Sequence, residues 1–252
     1  GIFIQETRCI KLMEIKFGLD TFGDVQRDDE GNLISAAQTL RNVVTEGVLA
    51  DTLGLEYFSI GEHHRDDYSV SAPDTVLAGL ATVTEKIIVG TGVTVLSSDD
   101  PVRVYQRFAT IDALSGGRAE ITAGRGSFIE SFPLFGYDLK DYGALFEEKL
   151  QLLAELLKEK PVTWSGRTRA PLQNQDVYPK TERGSIPLRV GVGGTPASRH
   201  RHNLTLSLAK QYCLHIQRLN YKRPNALKMQ LKFGKHLLWN YVIMFIRIAF
   251  QV

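Results

Sequence analysis

Hydrophobic and polar positions along this chain follow two alternating periods. Ile15-Lys16-Phe17-Gly18-Leu19 alternates as a strand does and runs into a polar turn over 24–32. Leu33, Ala37, Leu40, Val44, Val48 and Leu49 then recur at helical spacing, and Gly54 ends that helix. Tyr57-Phe58-Ser59-Ile60 predicts a second strand, and Asp74 is placed to cap a second helix over 75–84. The β-branched runs Ile87-Ile88-Val89 and Val93-Thr94-Val95 suit a strand buried in a parallel sheet. Pro101 opens a third helix at its first position, 102–114 continue it, and Ser115-Gly116-Gly117 stop it. A fourth strand follows over 119–123, and a long amphipathic helix over 142–157. A Pro- and polar-rich connection over 158–187 leads to a fifth strand over 188–192, and Gly193-Gly194-Thr195-Pro196 looks like another helix start.

Strand-then-helix order predicts parallel βαβ units. Five such units fit either a doubly wound sheet or the first part of a (β/α)8 barrel, and periodicity does not choose between them. After Ser198 the pattern fails. Residues 199–235 show no alternation, and the apolar stretch 237–252 is broken by Asn240, Arg247 and Gln251. It falls short of the roughly 20 residues a membrane span needs, so no membrane association is predicted.

Composition sharpens that break. The chain has 252 residues, 43% hydrophobic and 23% charged, which excludes disordered, collagen-like and coiled-coil classes. Its formal charge of +2 averages two unlike parts. Residues 1–198 hold 20 Lys and Arg against all 28 acids, a balance of −8, whereas 199–252 hold 10 Lys and Arg and no acid. The tail also carries four of the six His and one of the 22 Gly. The expected organisation is a non-native-looking leader over 1–12, a regular domain over 13–198, and a basic tail over 199–252 that reads like out-of-frame translation. Such a tail is expected to be irregular or helical. Two Cys and no signal-peptide pattern predict a reducing, cytoplasmic setting.

Four segments could carry chemistry. Glu62-His63-His64 follows the second strand, where parallel α/β folds place their sites. The alternatives are two loop His without a role, or a metal site. Adjacent His on an extended segment point opposite ways and no second Cys/His cluster accompanies them, so no metal is predicted. Gly124-Arg125-Gly126 ends the fourth strand and offers a guanidinium fork for phosphate, or an Arg turned to water. Gly191-Val192-Gly193-Gly194-Thr195 offers bare backbone N–H groups at a helix start, a phosphate cradle or a plain tight turn. Val89-Gly90-Thr91-Gly92-Val93 puts two Gly in an apolar strand, the mark of close packing against a ligand or of a bulge.

Taken together these segments resemble the bacterial luciferase-like flavin-dependent monooxygenase family. The resemblance runs through Lys16-Phe17-Gly18, Gly61-Glu62-His63-His64, Val89-Gly90-Thr91-Gly92, Leu96, Pro101-Val102-Arg103 and Phe135-Gly136. Its most specific stretch is Ala109-Thr110-Ile111-Asp112-Ala113-Leu114-Ser115-Gly116-Gly117-Arg118, followed by Gly124-Arg125-Gly126. It implies a (β/α)8 TIM-type barrel of which about five βα units are recognisable, hence an incomplete barrel and compromised activity. It further implies reduced FMN, supplied by a flavin reductase, acting with O2 on a small organic substrate. His63 would be the acid/base beside the flavin, with Glu62 and His64 supporting it. Gly92 and Val93, joined by a cis peptide, would face the flavin ring. Arg125 would hold the phosphate, completed by Gly193, Gly194 and Thr195. A homodimer through the early helices is implied as well. Gly124 stands where light-emitting members carry Cys, so light emission is not implied. The same fold also hosts F420-dependent hydride transfer and non-catalytic flavin-binding paralogues. Tyr221, Phe233 and Trp239 among the tail's Lys and Arg could stack bases, but no recognisable module surrounds them and no nucleic-acid partner is predicted.

Overall fold

The computed structural model describes residues 15–126, 128–192, 213–215 and 243–248. Strand β1 (Ile15–Thr21) leads to helix α1 (Ala36–Thr52), β2 (Tyr57–Ile60), α2 (Pro73–Ala81), β3 (Ile88–Thr91) and the short β4 (Thr94–Val95). Helix α3 (Pro101–Ser115), β5 (Ala119–Gly124), the turn-long α4 (Ser131–Leu134) and α5 (Tyr142–Leu156) follow. Then come β6 (Val162–Trp164), β7 (Leu172–Gln175), β8 (Leu188–Val192), β9 (Cys213–His215) and β10 (Ile243–Ile248).

Local chemistry sets the boundaries. Ser35 caps α1 by accepting from the Gln38 N–H, and Gly54 follows the helix at φ +75°, where a side chain would be strained. Leu33 lies outside that helix and is exposed. Asp74 is not the cap of α2. Pro73, whose ring presets a helical φ and whose missing N–H costs nothing there, starts the helix two residues earlier than expected. The Asp74 carboxylate instead pairs with Arg107 on α3 at 2.5 Å. Asp100 caps α3 through the Val102 and Arg103 N–H groups, Pro101 occupies the first turn, and Gly116 closes it at φ +65°. The connection over 158–187 is not a plain loop, since β6 and β7 form an antiparallel hairpin within it.

The main sheet has the order β10-β1-β2-β3-β5-β8-β9, with β4 also paired to β5. All its pairings are parallel except β10 against β1. The described residues of the tail are thus extended rather than irregular or helical: β9 adds beside β8, and β10 covers the free edge of β1. Residues 1–14 and the rest of the tail lie outside the described residues.

The pleat gives the sheet two unlike faces. Phe58, Ile60, Val89, Ala119, Ile121, Ala123 and Val190 form one. They pack with Val43, Leu77, Leu80, Val104, Phe108, Leu150 and Leu153 of α1, α2, α3 and α5 into one apolar core. Each fully buried Leu or Phe there contributes about 1.5–3 kcal/mol. The opposite face is polar and glycine-rich. Its register aligns Asp20 with Ser59, Ser59 with Gly90, Gly90 with Glu120, and Thr122 with Arg189. On that face Arg189 Nε donates to Glu120 Oε1 at 2.8 Å, both side chains fully buried. A mostly parallel sheet with one face under helices is the arrangement of a (β/α) barrel wall.

Candidate active site

The carboxyl ends of β2, β3 and β5 converge through backbone and glycine contacts. Gly61 N donates to Thr21 O, and Gly92 N donates to Ile60 O at 3.0 Å. A side chain at Gly124 or at Gly191 would collide with Val93, so these two glycines make room for the Val93 isopropyl group. The Gly92–Val93 peptide is cis. Thr91 Oγ1 bonds Thr94 Oγ1 at 2.9 Å, bracing the segment that carries that peptide.

Glu62 grips the same segment. Its Oε2 accepts from the Val95 N–H at 3.0 Å, while its Oε1 bonds His64 Nε2 at 2.9 Å. One carboxyl group therefore fixes both the backbone beyond β3 and the orientation of His64. The His64 ring also meets Phe135 edge-on at 5.2 Å.

His63 turns the other way, as alternation on an extended segment requires. It is buried inside an aromatic box of Phe22, Tyr68 and Phe128, with ring centroids at 4.7, 4.3 and 4.9 Å. Burial lowers the imidazole below its usual value, and it outweighs the opposing pull of Glu62, Asp67 and Glu130. The ring is accordingly neutral at pH 7 and able to accept a proton. Arg65 lies over Phe128 at 4.7 Å and forks to Asp67 (2.8 Å) and Glu130 (3.3 Å), tying the loop after β2 to the loop after β5.

Arg125 leaves the end of β5 with its guanidinium near the Tyr142 and Phe146 rings of α5, at 5.9 and 5.5 Å. Its Nε is buried and has no hydrogen-bond partner among the described residues. A guanidinium whose buried Nε lacks a partner among the described residues, at a strand's carboxyl end, fits a phosphate group.

The sequence-predicted residues Glu62, His63, His64, Gly92, Val93 and Arg125 thus all sit at the carboxyl ends of β2, β3 and β5. Gly193, Gly194 and Thr195 lie outside the described residues. Sequence reasoning missed the aromatic box and the inward polar residues Asp20, Ser59, Glu120 and Arg189. The usable signal was parity: Asp20 shares a face with Gly18 within 15–21, and Arg189 with Gly191 within 188–192.

The family model for luciferase-like monooxygenase matches residues 16–205. The chain belongs to the luciferase-like monooxygenase family. Among curated relatives it is 32% identical over 152 residues to 4-hydroxyprotoasukamycin monooxygenase of Streptomyces nodosus subsp. asukaensis, covering 58% of this chain and 40% of that protein. Among solved structures, the FMN complex of the oxygenating constituent of 3,6-diketocamphane monooxygenase from Pseudomonas putida superposes with a TM-score of 0.64. It shows 18% identity, over 76% of this chain and 56% of that one. The coenzyme F420-dependent tetrahydromethanopterin reductase of Methanopyrus kandleri gives a TM-score of 0.53 at 24% identity, over 72% and 51%. These two likenesses show the shared fold. The chain spans about half the length, or less, of these relatives. Among the described residues of this luciferase-like protein, no helix is long and apolar enough to cross a membrane.

Proposed function

We propose that this luciferase-like chain is an FMN-dependent monooxygenase acting on a small organic substrate, with reduced FMN delivered by a separate reductase. The observation that carries the reading is the Arg125 guanidinium, its buried Nε without a hydrogen-bond partner among the described residues, at the same strand ends as the aromatic-boxed His63. In this reading Arg125 holds the cofactor phosphate, and Gly193, Gly194 and Thr195 complete that cradle. Gly92 and Val93 face the ring. Glu62 keeps the backbone of 92–95 in place and orients His64. His63, boxed by Phe22, Tyr68 and Phe128, accepts or returns a proton at a ring nitrogen. Bound reduced flavin supplies oxygen activation and transfer of one oxygen atom to the substrate.

Titration of the purified full chain with FMN and with F420, followed by fluorescence, tests the reading. FMN binding that is lost in Arg125→Met, together with reductase-coupled O2 uptake that is lost in His63→Ala, supports it. Binding of F420 alone would turn the assignment to hydride transfer, and binding of neither would overturn it.

A further inference from the structure

Asp20 lies one residue from the carboxyl end of β1, on the lumen face, and only 2% of it is exposed. Ser59 Oγ on β2 donates to Asp20 Oδ1 at 2.6 Å. The second carboxyl oxygen, Oδ2, is buried and makes no hydrogen bond of ordinary geometry among the described residues. Directly over the pair lies Gly92. A Cβ built there would come within 2.6 Å of Asp20 Oδ1 and 2.9 Å of Ser59 Oγ. Those contacts explain why position 92 is glycine: its backbone rests on the Asp20–Ser59 pair with no room for a methyl group.

We propose that Asp20 is a positioning residue of the cofactor site, its carboxyl group forming with Ser59 the floor that sets the height of the Gly92 backbone. This rests on the reading of Gly92 as part of the cofactor wall. A carboxylate in that place would be a buried charge without a cationic partner, with Ser59 as its side-chain donor among the described residues and the acid Asp24 nearby. Burial therefore holds the Asp20 acid protonated well above the usual carboxylate range; Ser59 and the Thr21 backbone oppose this, and Asp24 reinforces it. A neutral acid fits the floor because it demands no counter-ion. It also leaves an O–H on Oδ2 to be satisfied by a ligand or a water.

Two measurements on the full chain decide the matter. Infrared spectroscopy of the cofactor-free protein should show the carbonyl band of a buried protonated acid, absent from Asp20→Asn; its absence from the wild type overturns the proposal. In the same samples, the 15N-labelled Gly92 amide resonance should be kept in Asp20→Asn, the isosteric neutral replacement, and displaced in Asp20→Ala. FMN affinity should follow that order, nearly unchanged in Asp20→Asn and weaker by about tenfold or more in Asp20→Ala. An Asp20→Ala protein with wild-type Gly92 resonance and wild-type affinity overturns the assignment. If the wild type binds neither FMN nor F420, the functional reading fails, and the infrared band and the Gly92 resonance still decide the role of Asp20.

Discussion

The two ends of the parallel sheet are built to opposite standards. At the amino end, two charged groups are held by dense sets of hydrogen bonds. Arg118, just before β5, donates to the carbonyls of Ala81, Thr84, Ile87 and Ser115 and to Thr84 Oγ1, stitching α2, α3 and the start of β3 together. Asp51 near the end of α1 accepts from the Glu85, Lys86 and Ile87 N–H groups at 2.7–3.0 Å. At the carboxyl end, Asp20 Oδ2, Arg125 Nε and Ser131 Oγ are buried without partners among the described residues. His63 contacts aromatic faces. Unmet hydrogen-bonding capacity costs stability, so its concentration at one end marks that end as the place where a ligand completes the structure. The comparison also teaches how to read the family resemblance. Its most specific stretch, 109–118, belongs to the stitched end and reports on folding, whereas the chemistry sits in shorter motifs at the other.

Breaking the stitched half should have the largest effect. Glu120→Gln leaves the Arg189 guanidinium buried against a neutral amide, and urea unfolding should show a loss of about 3–5 kcal/mol. A loss below about 1 kcal/mol would mean that the polar lumen is dispensable to the fold. A smaller effect tests the contrast through pH. The three backbone N–H groups on Asp51 together outweigh burial and pull its carboxyl below the ordinary range. Its folded-state affinity for protons is therefore lower than the unfolded one, and its contribution is fully present above the unfolded value of about 3.9 and lost as pH falls through the folded value. Asp20 has the opposite sign: its contribution is present below the unfolded value and lost as pH rises towards the raised folded one. The stability gap between wild type and Asp51→Asn should close on acidification, while Asp20→Asn should gain on the wild type as pH rises. Parallel pH curves for both variants would erase the distinction between the two ends. The smallest stability effect is expected from Arg125→Met, within about 0.5 kcal/mol of wild type by thermal unfolding, even though the same change should remove FMN binding. A large loss of stability would make Arg125 a structural residue like Arg118.

How far the sequence discloses this molecule depends on what each segment buries. Strands β2 and β8 match their predicted ranges because each reads as a short run bounded by turn signals. The hairpin of β6 and β7 escapes detection because its second strand, Leu172-Gln173-Asn174-Gln175, is polar and largely exposed, with no apolar period to show. Asp74 misleads because a good capping residue sits beside a proline that starts the helix first. At the site, three adjacent titratable groups announce Glu62, His63 and His64. Asp20, Ser59, Glu120 and Arg189 are single polar residues in separate strands. They become a constellation only once the register lays them on one face. The box around His63 draws on Phe22, Tyr68 and Phe128, from three loops far apart in the chain, and no local pattern encodes it.

The antiparallel pairing of β1 with β10 has a consequence for the order of assembly. Ile15 meets Ile248 and Asp20 meets Ile243, so the two partners are separated by almost the whole chain. During synthesis β2 and α1 are available to β1 early, but its other edge stays open until residue 243 has emerged. Until then the strand that carries Asp20 presents unsatisfied N–H and C=O groups on that side. The interval before that last strand arrives is when the nascent chain is most exposed to pairing with the wrong edge.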